Sequence, residues 1–275
     1  MTDNSTLQDI TGTVLLAGAG KMGGAMLSGW LGQGLDPRRV AVIEPSPSAE
    51  INALVTKGIV LNPDATSIGS VETLVVAVKP QSFGDAGAKL KPFMSANTSV
   101  VSIMAGITIA SLQEVCGGAV VRAMPNTPAA IGRGITVAVA ATNVSARQRA
   151  VADALLRATG AVEWINDESL MDAVTAVSGS GPAYVFLLAE ELARAGVEAG
   201  LPEHLATKLA RETVAGSGEL LHRSELAPDT LRQNVTSPGG TTAAALGVLM
   251  GDPGLRDLMS RAIAAAAKRS KELAK

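Results

Sequence analysis

The segment Thr236-Ser237-Pro238-Gly239-Gly240-Thr241-Thr242 precedes an alanine-rich stretch with helical composition. A helix N-terminus presents backbone N–H groups that lack intrahelical partners, at the positive end of the helix dipole. Glycines allow a ligand to approach such a backbone closely. We therefore predict that Ser237, Gly239, Gly240 and the two threonines bind a small anion. An ordinary helix cap is the alternative, because threonine is also a favoured N-cap residue.

A second glycine-rich segment, Gly18-Ala19-Gly20-Lys21-Met22-Gly23, lies between an apolar run and a stretch with helical spacing. In this context the pattern G-x-G-x-x-G indicates a dinucleotide-binding turn. The first glycine permits the tight turn, the second admits the pyrophosphate, and the third lets the helix pack on the sheet. A purely structural glycine turn is the alternative. Two anion-binding segments on one chain predict a dinucleotide cofactor and a small substrate.

The preference between NAD and NADP depends on the end of the second apolar run, at Glu44. An acidic side chain there would accept hydrogen bonds from the ribose hydroxyls of NAD and would repel the extra phosphate of NADP. Glu44 can equally be a solvated strand end. Arg38, Arg39, Ser46 and Ser48 are close in sequence and are alternative phosphate ligands. Both NADP(H) and NAD(H) therefore stay open as cofactors.

Two proline-containing segments follow later apolar runs, namely Val78-Lys79-Pro80 and Met124-Pro125-Asn126-Thr127-Pro128. In open α/β sheets ligands lie outside the carboxyl ends of the strands. We expect both segments to border the nicotinamide and its ribose, although prolines alone would indicate only turns.

The elements that must position these residues alternate between short aliphatic runs and amphipathic stretches in the first half of the chain. This alternation predicts a doubly wound parallel sheet of the Rossmann type. The predicted strands are Thr13–Ala17, Val40–Glu44, Ile59–Leu61, Thr73–Val78, Ser99–Met104, Ala119–Ala123, Ile135–Ala140 and Val162–Ile165, with helices at Lys21–Gln33, Pro47–Lys57, Gln81–Leu90 and Ala146–Ala158.

After Asn166 the strand signals stop, and six further segments have helical spacing. Pro182 and Pro202 stand where a first helical turn tolerates proline, and Gly196 and Gly200 suit helix ends. We therefore predict a dinucleotide-binding domain at 1–166 and an all-α domain at 167–275. The helical segments near the C-terminus are apolar on more than one side, so we expect burial between subunits.

Composition limits the partners of this 275-residue chain. Its 23 basic and 25 acidic residues give a net charge of −2, which offers no electrostatic reason for a nucleic acid or membrane partner. The single cysteine, Cys116, excludes an intramolecular disulfide, and no metal site is predicted. The N-terminal residues lack a basic and then apolar profile, and every apolar run is too short to span a bilayer. We expect a cytoplasmic protein.

Together these segments resemble the pyrroline-5-carboxylate reductase family, in order and spacing. The motifs that carry the resemblance are Gly18 to Gly23, Val78-Lys79-Pro80, Met124 to Pro128, Ser178-Gly179-Ser180-Gly181-Pro182-Ala183-Tyr184 and Thr236 to Thr242. The last two are specific to the family. The resemblance implies reduction of 1-pyrroline-5-carboxylate to L-proline by NADPH or NADH. It also implies a helical dimerisation domain that interlocks with a partner, in a homodimer often assembled into a decamer.

Residue roles follow from the resemblance position by position. Thr242 would be the catalytic residue, with its hydroxyl at the ring nitrogen of the imine, while N–H groups near Gly239, Gly240 and Thr241 hold the carboxylate. Substrate contacts are implied for Glu168, Thr241 and Thr242, and cofactor contacts for Gly18, Ala19, Gly20, Lys21, Met22, Val78, Lys79, Ala105 and Asn234. The positions of the two proline-containing segments and of the glycine-rich turn before Pro182 add Pro80, Pro125, Asn126 and Ser178 as predicted cofactor contacts. Where the family often has an asparagine near the adenine ribose, this chain has Asp64, with Asn62 nearby.

Two other functions are compatible with a Rossmann domain and a helical domain. A β-hydroxyacid dehydrogenase would need a catalytic lysine on the first long helix of the second half, but no lysine occurs between Lys91 and Lys208. The second alternative function is that of a regulatory protein that binds the cofactor but catalyses no reaction, since fold alone does not define function. The loop at Thr236 to Thr242 argues against it, because a sensor has no need of a second anion site.

Overall fold

The computed structural model describes residues 6–273, which form two compact units. The first unit comprises residues 6–179 and 267–273. The second unit is Ser180–Ala266. The segment after Asn166 is held in the first unit by Met171 and Ala176, both buried. The compact units thus divide later than the predicted domain boundary, which stays a prediction.

The first unit is built on one eight-stranded sheet with the order β3-β2-β1-β4-β5-β6-β7-β8. The strands are β1 Thr13–Ala17, β2 Val40–Ile43, β3 Val60–Leu61, β4 Val71–Val76, β5 Ser99–Ser102, β6 Ala119–Met124, β7 Gly134–Ala140 and β8 Gly160–Ile165. The chain reverses its direction of winding between β1 and β4, which lie side by side. The doubly wound Rossmann sheet predicted from the sequence is confirmed.

One strand pair departs from the predicted parallel arrangement. β6 and β7 are antiparallel, with Val121 opposite Ala140 and Met124 opposite Val137. Only the short segment at Thr127–Ile131, a 3₁₀ turn, lies in the connection between them. A parallel crossover requires a dozen or more residues, so the short connection forces the chain to turn back.

Helices cover both faces of the sheet. In this unit the helices are α1 Lys21–Gly32, α2 Ala49–Leu54, α3 Phe83–Leu90, α4 Ile109–Cys116, α5 Ala146–Arg157 and α6 Met171–Val174. The predicted helices appear with shifted ends, and α4 was missed. It has only eight residues and buries a single large side chain, Leu112, so its periodic signal is weak.

The core consists of two apolar layers, one on each face of the sheet. Val14 and Leu16 of β1 pack on one face with Trp30 of α1 and Leu155 of α5. The indole N–H of Trp30 donates to the Leu155 carbonyl oxygen at 2.8 Å. Leu15 points to the opposite layer, because successive strand residues alternate between faces. Both faces are therefore buried, as parallel sheets require.

The second unit is helical. Its helices are α7 Gly181–Glu198, α8 Glu203–Arg223, α9 Pro228–Asn234, α10 Thr241–Leu249 and the larger part of α11 Leu255–Leu273. Gly196 was expected at a helix end, but α7 continues past it. A Cβ atom at Gly196 would lie 3.2 Å from the Ala206 Cβ atom, so this glycine allows α7 and α8 to pack closely. Gly200, with φ of 100°, follows the end of α7 as expected.

The second unit lacks an apolar core of its own. Between Ser180 and Ala266, all of which the structure describes, Ala206 and Ala210 are the only buried apolar residues. Along α7, Phe186 is 67% exposed and Leu188 is 57% exposed. Among residues 6–273 no helix combines the length and the apolar character that crossing a membrane would require.

Candidate functional site

The glycine-rich turn between β1 and α1 uses each of its three glycines differently. Gly18 has φ of +93°, and a Cβ atom there would lie 2.7 Å from the Ala77 carbonyl oxygen. A Cβ atom at Gly23 would overlap the Gly18 carbonyl oxygen. A Cβ atom at Gly20 would meet no atom within 4 Å. Gly18 and Gly23 therefore let the turn and α1 pack on the sheet, while the open space at Gly20 suits an approaching pyrophosphate.

The N-terminus of α1 begins directly after this turn. Gly20 is its N-cap residue, and no side chain caps the helix. The first backbone N–H groups of a helix have no partner within it, so at α1 they are available to an anion. Lys21 and Met22 are the first two helical residues. The turn thus has the donors and the space that a dinucleotide requires.

Glu44 follows β2 and contacts the same turn. Its Oε2 atom accepts a hydrogen bond from the Ala19 N–H at 2.8 Å, and its Oε1 atom accepts one from the Ser46 N–H at 3.1 Å. Asn62 also fixes this position, since its side chain accepts from the Glu44 N–H and donates to the Glu44 carbonyl oxygen. The Glu44 carboxylate is therefore anchored beside the glycine-rich turn.

The positions of Arg38 and Arg39 do not support the alternative that they bind a cofactor phosphate. Both precede β2, in the turn Pro37–Arg39, and so lie at the amino end of that strand. The four residues of β2 separate them from its carboxyl end by about 13 Å. Arg38 pairs with Asp36 at 2.8 Å, and Arg39 donates to the Thr11 carbonyl oxygen. Sequence proximity to Glu44 was misleading because a strand intervenes.

The carboxyl ends of the middle strands bring several predicted cofactor residues to one edge of the sheet. β4 ends at Val76, β5 at Ser102 and β6 at Met124. The predicted residues that follow these ends are Val78, Lys79, Pro80, Ala105, Pro125 and Asn126. The Asn126 side chain accepts from the Ile135 N–H at 2.9 Å, which anchors the loop after β6. This edge adjoins the glycine-rich turn, because β4 pairs with β1.

Glu168, expected to contact substrate, makes a partly buried ion pair. Its Oε1 atom lies 2.8 Å from the Arg122 Nη1 atom and also accepts from the Ile109 N–H at 2.8 Å. The Arg122 side chain is only 5% exposed, whereas that of Glu168 is 31% exposed. One carboxylate thus joins β6 to the first turn of α4. Substrate contact by Glu168 stays a prediction.

Sequence reasoning missed Arg122. The signal was available, since this arginine interrupts the otherwise apolar strand Ala119–Met124. A charged side chain within a strand that is buried on both faces requires an acidic or strongly hydrogen-bonding partner. The partner itself, 46 residues along the chain, was not predictable from local pattern.

Ser178 lies in a π-helical turn, Thr175–Gly179, that follows α6. Its Oγ atom is buried, and among the described residues it is the single buried side-chain N or O atom that lacks a hydrogen-bond partner. π-Helical turns are rare and are frequent at functional sites. An unsatisfied hydroxyl of this kind fits the expected role of Ser178 toward a polar ligand.

The loop before α10 has the predicted form in the second unit. Gly239 has φ of +69°, and the Gly240 N–H donates to the Ser237 carbonyl oxygen at 3.0 Å. Gly240 is the N-cap residue, and no side chain caps α10. Thr241 and Thr242 are the first two helical residues, so neither is the N-cap residue that the alternative interpretation required.

The predicted residues are thus distributed over both units. Ser237, Gly239, Gly240, Thr241 and Thr242 lie together around the start of α10, and Asn234 ends α9 in the same unit. The glycine-rich turn, Glu44, the strand-end loops, Glu168 and Ser178 belong to the first unit. Among the residues that the structure describes, no group of three or more His, Cys, Asp or Glu side chains suits a metal ion.

Two family models match separate parts of the chain. The model for the pyrroline-5-carboxylate reductase dimerisation domain matches residues 168–273. The model for coenzyme F420-dependent NADP oxidoreductases matches residues 13–106, which include the glycine-rich turn. The helical segment of this chain therefore carries a family-specific dimerisation domain.

Similar proteins extend the match over nearly the whole chain. The pyrroline-5-carboxylate reductase of Pseudomonas aeruginosa is 38% identical over 96% of this chain and 97% of its own length. That of Synechocystis sp. is 43% identical over 87% of this chain and 89% of its own length.

Two solved structures are similar to this chain over nearly its whole length. A pyrroline-5-carboxylate reductase from Coxiella burnetii has a TM-score of 0.88 at 34% identity, covering 97% of this chain and 100% of its own. The Plasmodium falciparum enzyme, solved with NADP bound, has a TM-score of 0.80 at 29% identity, covering 96% of this chain and 99% of its own. The dinucleotide turn, the loop before α10 and these matches lead to one conclusion: the chain belongs to the pyrroline-5-carboxylate reductase family.

Proposed function

We propose that this protein reduces 1-pyrroline-5-carboxylate to L-proline with a hydride from NADPH or NADH, the last step of proline biosynthesis. The observation that carries the proposal is the start of α10, where a helix N-terminus without a side-chain cap is preceded by two glycines and followed by two threonines. This supports binding of a small carboxylate in a protein that also has a dinucleotide turn.

The first unit would hold the dinucleotide. The open space at Gly20 and the N–H groups of Lys21 and Met22 suit the pyrophosphate. When bound, the nicotinamide supplies the hydride that reduces the imine carbon. The loops after β4, β5 and β6, at Val78 to Pro80, Ala105, and Pro125 with Asn126, would surround the nicotinamide and its ribose. Ser178 and Asn234 are the remaining proposed contacts.

The loop before α10 would orient the substrate. Backbone N–H groups near Gly239, Gly240 and Thr241 would donate to the carboxylate, with Ser237 beside them. The Thr242 hydroxyl would then face the ring nitrogen and stabilise the proton that this atom carries in the protonated imine. Because a protonated imine is already a good hydride acceptor, the main task of these residues is to fix distance and orientation.

The cofactor choice is a separate part of the proposal. The NADP oxidoreductase match and the NADP-bound Plasmodium falciparum structure favour NADPH. The anchored carboxylate of Glu44 favours NADH, because it would repel a 2′-phosphate at the adenosine ribose. Arg38 and Arg39 lie at the amino end of β2, away from Glu44. Ser46 and Ser48 are therefore the proposed polar contacts to the adenosine ribose. We propose that the enzyme accepts both cofactors.

The dimerisation domain makes the chain an oligomer. We propose a homodimer as its unit, with five such dimers forming a decamer as the larger assembly, and a cytoplasmic location. The exposed apolar side chains of α7 support the dimer, since large exposed apolar patches mark interaction surfaces.

The deciding experiment is a steady-state assay that follows cofactor absorbance with 1-pyrroline-5-carboxylate, using NADH and NADPH in parallel. We expect turnover with both and formation of L-proline, identified by chromatography. A β-hydroxyacid such as 3-hydroxyisobutyrate, assayed with NAD⁺ or NADP⁺, serves as the control for the dehydrogenase alternative. No turnover of the imine with either cofactor would contradict the proposal and would favour a regulatory protein.

A further inference from the structure

Strand β6 contacts both ends of the segment 168–179, and one of these contacts is the ion pair between Arg122 and Glu168. Glu168 begins the segment 168–179, which comprises a 3₁₀ turn, α6 and the π-helical turn with Ser178. At its start the Glu168 carboxylate pairs with Arg122 of β6 at 2.8 Å. At its end a Cβ atom on Gly179 would overlap the Met124 Cε atom, so the backbone there lies against Met124.

Arg122 and Met124 are two residues apart on β6, so their side chains lie on the same face of the sheet. Between the two attachment points, Met171 and Ala176 are buried in the first unit. Met124 is also the last residue of β6, directly before Pro125 and Asn126. The strand that ends in the proposed nicotinamide loop therefore also fixes the turn that carries Ser178.

The chemistry of the pair suits a device that fixes position. A guanidinium that is 5% exposed cannot be hydrated, so it requires the carboxylate, while the carboxylate in turn accepts from the Ile109 N–H at 2.8 Å. Buried ion pairs contribute little net stability compared with apolar side chains of similar volume. Their fixed geometry can instead specify one arrangement of the elements they join.

We propose that Arg122 is a positioning residue for hydride transfer. Through Glu168 and the segment 168–179 it holds Ser178 in register with the loop at Pro125 and Asn126, so that both face the nicotinamide in one fixed arrangement. The inference rests on the proposed reductase function. It assigns to Glu168 a role in orienting this segment, whether or not the same carboxylate also reaches the substrate.

The test compares Arg122→Met with the wild type. In this variant Glu168 stays partly exposed and keeps its hydrogen bond from Ile109, so no buried charge is left alone. We expect kcat to fall at least tenfold, with the dissociation constant for the dinucleotide changed less than threefold. A misplacement of about 1 Å is sufficient for losses of this size. The primary deuterium isotope effect measured with 4-deuterated cofactor should rise, because the hydride step becomes slower.

Two controls separate positioning from stability. Arg147→Met removes another arginine–glutamate pair, Arg147 with Glu72 at 2.8 Å, which involves neither β6 nor the segment. Leu155→Ala opens a cavity in the core of the same unit and lowers the melting temperature. Both should keep the kcat and the isotope effect of the wild type at a temperature where each is folded.

The double variant Arg122→Met/Glu168→Gln carries the test even where the single variant folds poorly, because no ionised group remains at the site. Its kcat should also fall at least tenfold relative to the wild type, with the dissociation constant for the dinucleotide changed less than threefold. If Arg122→Met and the double variant both keep the kcat and the isotope effect of the wild type, the inference is overturned while the reductase function stays intact. An inactive wild type would overturn both.

Discussion

At the scale of single residues, the hydroxyl of Thr242 is the proposed contact to the reacting nitrogen. Thr242→Ala should lower kcat by roughly 10²-fold while changing the dissociation constants of NADH and NADPH less than twofold, since the lost hydroxyl faces the imine. Isothermal titration and steady-state kinetics provide the two measurements. Thr242→Ser, which keeps a hydroxyl, should recover most of the activity. Equal losses in kcat and in cofactor affinity would contradict the assignment.

The charge of Glu44 is the second feature at this scale. Glu44→Gln keeps an oxygen that accepts from the Ala19 or Ser46 N–H but removes the negative charge beside the turn. We expect the ratio of kcat/KM for NADPH to that for NADH to rise about tenfold, equivalent to about 1.4 kcal/mol.

Glu50→Gln removes an exposed charge on the neighbouring helix α2 and should leave this ratio unchanged. A wild-type enzyme that already prefers NADPH strongly would contradict the role given to Glu44.

At the scale of elements, the glycines of the first turn determine how closely α1 approaches the sheet. Gly23→Ala would push a Cβ atom into the Gly18 carbonyl oxygen. We expect a lower melting temperature and at least tenfold weaker dinucleotide binding, because the turn and the helix N-terminus must separate. Differential scanning fluorimetry and fluorescence titration with NADPH provide the measurements.

Gly32→Ala is the matched control at the other end of α1, where a Cβ atom would meet nothing within 4 Å. It should stabilise the protein by about 0.4–1 kcal/mol, since alanine has less conformational freedom in the unfolded chain. Tight dinucleotide binding by Gly23→Ala would show that the close approach of α1 is dispensable.

The elements also show why sequence patterns succeed in one place and fail in another. β1, β2, β4, β5 and β6 are confirmed because they are buried over most of their length and consist mainly of aliphatic residues. The direction of β7 was not predictable, because it depends on the pairing partner and on how short the connection after β6 is. Helix α4 was missed because a short helix with one large buried residue has almost no periodicity.

At the scale of the whole molecule, the exposed apolar side chains of α7 match the dimerisation domain. Phe186, 67% exposed, should lie in the subunit interface, where burying a large apolar side chain contributes about 1.5–3 kcal/mol. Phe186→Glu should therefore shift the protein toward monomer at micromolar concentration and lower its melting temperature. Size-exclusion chromatography with light scattering measures the mass.

Val55→Glu is the control, since it introduces the same charge at an apolar residue of the sheet unit that is 45% exposed. It should leave the oligomer unchanged. An unchanged mass for Phe186→Glu would place the subunit interface elsewhere on the helical unit.

The amino-acid sequence alone determined the Rossmann architecture and the family, and it predicted the two glycine-rich anion sites, because each depends on residues that are close together along the chain. Local periodicity reports burial, and glycines at fixed spacing report a turn. The segment Thr236 to Thr242 was likewise recognisable because its donors belong to a single helix start.

Only the tertiary structure decided which side chains meet across long sequence separations. Arg122 and Glu168 are 46 residues apart, and Glu44 is 25 residues from the amide that it binds. Arg38 and Arg39 show the converse, since they are close to Glu44 in sequence but lie at the amino end of β2, whereas Glu44 follows its carboxyl end. Strand order and direction set these distances, and both depend on packing of the complete sheet rather than on any local pattern.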